Sequence, residues 1–482
     1  MQKTFQKVGY NFIVSFLGKI GGIILSLFVI AFITRALGTG GFGEYSIILA
    51  FLYFFGVAAD FGLYTFLIRE ISKKGSDEQS ITSYVFTLRF FLAVVILALA
   101  PLIALLFPYS LFVKLGILIG ALGFIFMSLS QILVAIFQKK LKMWVAAASE
   151  VLGRAAQLVL VILFVRGNLG LLSFVFAFVS GTFITFLFNF IFAKKLVKIK
   201  PAIDFECWKN VLKKSWPFAL SIILSLIYFK IDTILLSVLK TPQDVGIYNA
   251  AYKILETTIV FPAILMGLFL PLLTASLQNM PRFKKIAKKA IQYIIVFALG
   301  AVVGGFVLAG PIIQVIAGSE FKESIQVLKI LVFAIAIIFV GGYFGHLIVA
   351  LNLQKKMNRA YLFCVFLNII GNLIFIPKYS YLGAAYTTLV TEFLALLLAS
   401  QIVYQKIKWL PKIKNFFKII LASLVMLLFL LLFQNLNYGA FGFLKLSFVI
   451  IAGAAVYFGF LIFLGAFRQK DISNFLINRA KK

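Results

Sequence analysis

Along the chain, apolar stretches alternate with short polar segments from residue 11 to residue 467. A hydrocarbon core about 30 Å thick needs roughly 20 apolar residues per helix, and the pattern divides into about 14 stretches of that kind. The predicted spans are 11–34, 45–67, 84–106, 114–137, 145–165, 171–193, 216–239, 248–275, 290–315, 325–351, 359–376, 382–404, 416–434 and 445–467. The pattern therefore predicts an all-α polytopic membrane protein.

The composition supports this class, and it affects how the high positive charge is interpreted. Of the 482 residues, 63% are hydrophobic and 13% are charged, and the formal net charge is +31. No soluble globular domain has that balance of apolar and charged residues. Because the Lys and Arg residues cluster in every second gap between spans, the charge indicates topology, and nucleic acid is not an expected partner.

The same charge pattern predicts the orientation. Most of the 46 Lys and Arg residues lie in the N-terminus, the C-terminal tail and the gaps 68–83, 138–144, 194–215, 277–289, 352–359 and 405–418. The alternate gaps carry a single basic residue each, in the gap or at its edge. Since cytoplasmic loops carry the excess of basic residues, we expect both ends in the cytoplasm of a cell-membrane protein. Its inner face should bind anionic lipid.

Two pairs of segments indicate an internal repeat. Residues 37–46 and 239–249 both read Leu-x-Thr, then a turn, then Gly-x-Tyr, and residues 168–170 and 381–383 form a second pair at a similar offset. An even number of spans per repeat gives both repeats the same orientation. The sequence thus predicts two pseudo-symmetric six-helix lobes around a central cavity, plus two appended C-terminal helices. The alternative is that Gly-x-Tyr simply recurs in outer turns.

Four regions follow from this division. They are an N-lobe at 1–200, a linker at 201–215, a C-lobe at 216–404, and the last two helices with a basic cytoplasmic tail at 405–482. In the linker, Phe205, Trp208 and Val211 fall at helical spacing among lysines. This spacing favours a short helix on the inner membrane surface; an ordinary polar linker is the alternative.

Several motifs resemble the polysaccharide transporter family, the O-antigen type flippases of the MATE/flippase (MOP) superfamily. They are Thr34-Arg35-Ala36-Leu37-Gly38, Phe42-Gly43-Glu44-Tyr45, Asp60-Phe61-Gly62-Leu63 with Ile68-Arg69-Glu70, Tyr228-Phe229-Lys230-Ile231-Asp232, and Val245-Gly246-Ile247-Tyr248-Asn249 with Ala250-Ala251-Tyr252-Lys253. The resemblance covers essentially the whole chain. It implies that polyprenyl-diphosphate-linked sugars are moved from the cytoplasmic to the outer leaflet by alternating access.

Charged side chains inside the spans are the candidate site residues, because each needs a cavity or a partner in the bilayer. The cations predicted to line the cavity and bind substrate are Lys19, Arg89, Arg154 and Lys230. The residues assigned to ion coupling or interhelical pairing are Asp60, Asp232, Lys253 and Glu256. A lipid diphosphate needs fixed Lys and Arg donors in place of its hydration shell. For the sugar, the candidates are Tyr64, Asn189, Asn368 and Asn372.

Structural alternatives exist for several of these charges. Glu150 can pair with Arg154 at i,i+4, and Lys253 can pair with Glu256 at i,i+3. Arg89 lies near a cytoplasmic helix end and could reach the headgroups. Lys230 is harder to place structurally. It lies about 14 residues into its span, which at about 1.5 Å per residue is past the middle of the bilayer, so its ammonium cannot easily reach either surface.

Two other functions compete with a flippase. A multidrug or organic-cation antiporter of the same superfamily would need acidic cavity residues. A membrane-embedded glycan polymerase or ligase would need a larger loop carrying catalytic groups. The sequence contains no nucleotide-binding fingerprint, and it predicts no catalytic residue, metal site or cofactor. Glycan polymerases or glycosyltransferases are the expected protein partners.

Overall fold

The structure is a computed structural model that describes residues 2–73, 75–411, 415–434, 436, 438 and 441–466. Side chains are described throughout these ranges except at 2–10, 12–13, 217–218 and 220–227. The described residues form α-helices, one 3-10 turn at Ser319–Phe321, and no β-strand. The helices are α1 (Gln2–Asp60), α2 (Leu63–Ile71), α3 (Glu78–Ala104), α4 (Leu111–Lys139), α5 (Met143–Arg166), α6 (Leu171–Lys194), α7 (Phe205–Leu239), α8 (Pro242–Thr258), α9 (Val260–Ala275), α10 (Met280–Val307), α11 (Ala309–Ile316), α12 (Ser324–Ala350), α13 (Gln354–Ile407), α14 (Phe416–Leu431) and α15 (Gly442–Phe463).

Two of the helices contain an internal break, so that each holds two predicted spans. In α1 the backbone turns at Gly38, whose φ is 65°, a region that glycine adopts without steric cost. In α13 it turns at Ser380, shortly after Pro377. The described residues contain 10 segments long and apolar enough to cross a membrane. The two segments that contain a break each count as two spans, and α7 and the shorter apolar α14 add one span each. The described residues then match the 14 predicted spans. The prediction of an all-α polytopic membrane protein is confirmed.

The predicted span 248–275 is interrupted. Helix α8 ends at Thr258 and α9 begins at Val260. The break lies one turn before Pro262, which has no N–H to donate to the carbonyl of Thr258. The hydroxyls of Thr257 and Thr258 bond instead to the carbonyl of Ile254, at 2.9 and 2.6 Å.

The linker differs from the expectation of a separate surface helix. Residues 205–215 form the first turns of the continuous helix α7, which begins after Asp204. The Asp204 carboxylate caps this helix by accepting from the N–H groups of Glu206 and Cys207 at 3.0 and 2.9 Å. The buried Val211 then packs into an apolar cluster with residues of α2, α3 and α4.

The described helices divide into two compact units. Unit 1 comprises residues 1–249 and 369–381, and unit 2 comprises 250–368 and the chain from 382 onward. This division places α7 and the first turns of α8 in unit 1, whereas the predicted boundary lay at 201–215. Ring contacts between Phe61 and Trp216 and a 2.8 Å hydrogen bond between Tyr109 and Ser237 attach α7 to the first helices.

Within unit 2, the last two helices pack on α10. The hydroxyl of Tyr457 on α15 donates to the carbonyl of Val296 at 2.8 Å, and the Tyr457 ring faces Gly300. The ammonium of Lys418 donates to the carbonyl of Leu464 at 2.7 Å, which ties α14 to the end of α15. The predicted basic tail from 467 to 482 lies outside the described residues.

Candidate functional site

A cavity of about 370 Å³ lies inside unit 1, among α1, α4, α5 and α6. Its volume is within the range of small-molecule sites, at the lower end. Two of the predicted cations, Lys19 on α1 and Arg154 on α5, line it together with Glu150. The rest of the wall is apolar or carries neutral polar groups, including hydroxyls and side-chain amides.

Arg154 is turned towards an amide inside this cavity. Its Nη1 donates to Oε1 of Gln157 at 3.2 Å. Among the residues that the structure describes, no ion pair joins Glu150 to Arg154 or to Lys19, although the sequence allowed an i,i+4 pair. Two cations and one carboxylate leave the cavity with an excess of positive charge.

The walls of the cavity depend on close helix packing. Gly153 on α5 and Gly181 on α6 face each other, and a Cβ on Gly153 would lie 2.5 Å from the carbonyl oxygen of Gly181. The neighbouring amide of Asn189 donates to Oγ of Ser130 at 2.7 Å, which joins α6 to α4. Small residues at such an interface let two membrane helices approach closely.

Arg89 does not line this cavity. Its side chain is fully buried and donates to the carboxylate of Asp60, to the carbonyl of Ala59 at 3.0 Å, and to Oε1 of Gln131 at 3.1 Å. Gln131 itself lines the cavity, so Arg89 lies behind the wall. Close packing of α3 against α1 and α4 places the guanidinium of Arg89 beside the carboxylate of Asp60. The sequence pattern of one helix does not reveal this contact.

Lys230 also lies away from this cavity. Its ammonium is 5.9 Å from the ring centroid of Tyr53, in cation–π geometry. Asp232, on another face of α7, is buried; it accepts from Nδ2 of Asn372 at 2.6 Å and from the hydroxyl of Tyr248 at 3.1 Å. This arrangement joins α7 to α8 and α13 within unit 1.

In unit 2, the ammonium of Lys253 and the carboxylate of Glu256 form an ion pair at 2.7 Å on α8. The pair occupies the last turn before the break at Ile259. Both side chains are about a quarter exposed.

Of the four candidates for sugar contacts, Asn189 lines the cavity. Tyr64 donates to Gln138, Asn368 to Thr391 and Asn372 to Asp232. Sequence reasoning missed Gln157 and Gln131, which contact Arg154 and Arg89. The i,i+3 spacing of Arg154 and Gln157 was an available signal, whereas the contact of Gln131 with Arg89 requires two helices to meet. In the described part of the chain, no three His, Cys, Asp or Glu side chains are grouped to hold a metal ion.

Comparison with known proteins gives consistent matches. A family model described as "Polysaccharide biosynthesis protein" matches residues 8–277. The protein named "Probable low-salt glycan biosynthesis flippase Agl15", from Haloferax volcanii, is 23% identical over 386 residues, which cover 77% of this chain and 78% of the relative.

Solved structures share the fold. The structure titled "Lipid II flippase MurJ, inward closed conformation" superposes with a TM-score of 0.75 at 18% identity, over 93% of this chain and 100% of the other. An inward-facing multidrug resistance MATE family transporter of the MOP superfamily gives a TM-score of 0.67 at 15% identity, over 82% and 98%. The fold is therefore common to a protein named a lipid II flippase and to a protein named a multidrug resistance transporter.

Proposed function

Because the chain belongs to the polysaccharide biosynthesis protein family, we propose that it is a flippase for lipid-linked glycans. It moves a polyprenyl-diphosphate-linked oligosaccharide from the inner to the outer leaflet by alternating access, for surface polysaccharide synthesis. The relative from Haloferax volcanii, which is itself named a glycan biosynthesis flippase, supports this assignment.

The observation that carries the proposal is the basic cavity of unit 1. Lys19 and Arg154 offer ammonium and guanidinium donors to a diphosphate that leaves water. An ionised acceptor paired with a charged donor gives the stronger class of hydrogen bond, and the planar guanidinium matches phosphate geometry. In this proposal the headgroup enters the cavity while the polyprenyl chain remains in the bilayer, so that the charge never crosses bare hydrocarbon.

The other predicted charges take different parts in the proposal. Lys230, beside Tyr53, is a further cation for the phosphates along the path. Arg89, paired with Asp60, positions Gln131 at the wall. Ion coupling or interhelical pairing is assigned to Asp60, which pairs with Arg89, to Asp232 and to the Lys253–Glu256 pair, none of which lines the cavity.

The membrane setting follows from the basic gaps. We propose a cell-membrane protein with both termini in the cytoplasm and with its basic face on anionic lipid. Enzymes that build or polymerise the glycan are the proposed protein partners. The proposed activity is transport without a chemical reaction, and we therefore propose that the chain is not an enzyme.

A multidrug or organic-cation antiporter is the second candidate, because a MATE transporter shares the fold. A cationic drug, however, would meet Lys19 and Arg154 against the single carboxylate of Glu150. Like charges in a low-dielectric cavity repel strongly, and the cavity therefore favours an anionic headgroup.

The test is translocation of a fluorescent polyprenyl-diphosphate-linked glycan in proteoliposomes. The variants are K19M, R154M and the double variant, with K322M at an exposed outer-loop lysine as the control. Loss of charge-assisted hydrogen bonds worth about 1.5–3 kcal/mol each should lower the transport rate roughly tenfold or more. Parent-like transport by the double variant, or cation-driven dye efflux without glycan transport, would overturn the proposal.

A further inference from the structure

Three side-chain amides line the cavity of unit 1, and they differ in what a ligand can reach. Gln157 and Asn189 are buried, at 3% and 1% exposure, whereas Gln131 on α4 is exposed. Oε1 of Gln157 accepts from Arg154. The amide nitrogen of Asn189 donates to Oγ of Ser130. Among the described residues, Gln131 is therefore the cavity amide that is open to a ligand.

The buried guanidinium of Arg89 decides which end of this amide faces the cavity. Nη2 of Arg89 donates to Oε1 of Gln131 at 3.1 Å. A guanidinium has donors and no acceptor, so it can bind the oxygen of an amide but not the nitrogen. The nitrogen of Gln131 consequently points away from Arg89. In the part of the chain that the structure describes, no other hydrogen bond engages the Gln131 side chain, and its N–H groups remain available to a ligand.

This orientation is fixed because Arg89 is itself held in place. The guanidinium is fully buried and also donates to the carboxylate of Asp60 and to the carbonyl of Ala59 at 3.0 Å. Turning the amide of Gln131 over would place its N–H groups against the guanidinium and would leave that charge without one of its acceptors, which is costly inside a protein. A donor that is oriented before the ligand arrives loses less conformational entropy on binding.

Gln131 lies at a depth similar to that of the two cavity cations. At about 1.5 Å per residue, it is about 12 Å from the end of α4, and Arg154 is about 17 Å from the start of α5. The turn at 140–142 joins these two helix ends. Lys19 follows Gly18, where α1 lies against α5 about two turns before Arg154. The three donors, on three helices, therefore lie within about two helical turns of one another in depth.

We propose that Gln131 is a further ligand of the diphosphate, donating N–H hydrogen bonds to a phosphate oxygen beside Lys19 and Arg154, and that Arg89 is the positioning residue that orients its amide. This inference rests on the proposed function, because it names one more contact for the same headgroup. Ionised phosphate oxygens accept hydrogen bonds, so the nitrogen of the amide must face them. A neutral donor binds more weakly than a third cation, and the headgroup is therefore released more easily.

The experiment measures the affinity of purified protein in detergent for geranyl diphosphate, a short lipid diphosphate that carries no sugar. Q131M removes the amide. Q131E keeps its shape and an oxygen for Arg89, but replaces the N–H donors with a charged acceptor. We expect the affinity to fall roughly two- to tenfold in Q131M, as for one neutral hydrogen bond, and further in Q131E because like charges repel.

The unfolding temperatures of these variants should rank in the opposite order. Q131E should unfold at a higher temperature than Q131M, because its carboxylate still pairs with Arg89. A residue that only supports Arg89 would make Q131E the better binder as well. Weaker binding by Q131M than by Q131E, or parent-like affinity in both variants, would therefore overturn the proposal.

The matched control is Q138M, the same substitution on the same helix. Gln138 accepts from Tyr64 at 2.6 Å and does not line the cavity. Q138M should bind geranyl diphosphate with the affinity of the parent. If it weakened binding as much as Q131M, the loss would reflect a disturbed α4 and not a missing donor, and the proposal would fail.

The role of Arg89 is tested by combining substitutions. R89K keeps a positive charge beside Asp60 but lacks the planar fork that holds the amide. It should weaken binding in the parent and have no further effect in Q131M; equal losses in both backgrounds would overturn the positioning role. Binding requires no translocation, so an affinity that follows Gln131 in a protein that moves no glycan lipid would refute the proposed function alone. Parent protein that does not bind geranyl diphosphate would refute both.

Discussion

Arg89 on α3 is fully buried and forms an ion pair with Asp60 at the end of α1. The guanidinium also donates to the backbone at Ala59 and to Gln131 of α4, so one side chain joins three helices. A charge in such a place is costly unless it is paired and hydrogen-bonded. The pair therefore fixes the wall behind the basic cavity.

Removing Arg89 should destabilise the protein strongly. R89M leaves the Asp60 carboxylate without its cation, and breaking a buried pair costs about 3–5 kcal/mol. We expect a marked fall in the apparent unfolding temperature in detergent, with partial rescue by R89K. The control is K73M, which breaks the more exposed Lys73–Glu70 pair and should cost about 1 kcal/mol or less. Equal effects of R89M and K73M would show that the buried pair does not stabilise the fold.

Gln157 should control how strongly Arg154 binds phosphate. Q157E keeps the shape of the side chain but places a carboxylate at the 3.2 Å contact with Arg154. The new ion pair competes with the substrate, and we expect glycan transport to fall roughly tenfold, as for one charge-assisted hydrogen bond. The same change at the exposed Gln79, Q79E, should leave transport unchanged. If Q157E transports at the parent rate, Arg154 is not a phosphate ligand.

The close approach of α5 and α6 should be sensitive to one methyl group. In G181A the new Cβ would lie 2.8 Å from the carbonyl oxygen of Gly153 and 2.9 Å from Cβ of Gln157. Overpacking of this kind costs about 1–3 kcal/mol and would move Gln157 in the cavity wall. We expect a lower unfolding temperature and slower transport. G341A adds a Cβ where nothing lies within 4 Å, and it should have neither effect.

Cys207 should react slowly with thiol reagents at neutral pH. Burial raises the pKa of this thiol above its usual value, and the nearby Asp204 carboxylate raises it further. Only the thiolate reacts. The alkylation rate of Cys207 in a C364S variant should therefore begin to rise at a higher pH than the alkylation rate of a free thiol, whose pKa is about 8.5. A cysteine at the exposed Ile203, I203C with C207S and C364S, provides the reference. Equal pH profiles for the two thiols would contradict the expected shift.

Much of the architecture could be predicted because the bilayer makes strict demands on sequence. Segments such as 84–106 and 171–193 read as spans from length and apolarity alone, and the helices α3 and α6 follow them closely. The paired segments 37–46 and 239–249 also indicated a repeat. The linker was harder, because the same spacing of Phe205, Trp208 and Val211 suits a helix on a membrane surface and a helix packed on α2 and α3.

The candidate site was predicted unevenly. Lys19 and Arg154 could be found because a basic residue inside a span is conspicuous in any single helix. Arg154 turns towards Gln157 instead of Glu150, and both of these partners lie on its own helix α5. The meeting of Lys19 and Arg154 in one cavity and the position of Arg89 behind the wall depend on which helices are neighbours. Nothing in the local sequence encodes that choice.

The sequence by itself determined the class of protein, the number of spans and the expected orientation, because hydrophobic length and the placement of Lys and Arg act one segment at a time. Tertiary structure alone decided which buried charges are paired and which line the cavity. It also decided that Gly43 lies against the carbonyl of Pro242 and Gly246 against the carbonyl of Thr39. These outcomes arise from contacts between residues far apart in the chain, where a missing methyl group or a neighbouring carboxylate sets the geometry.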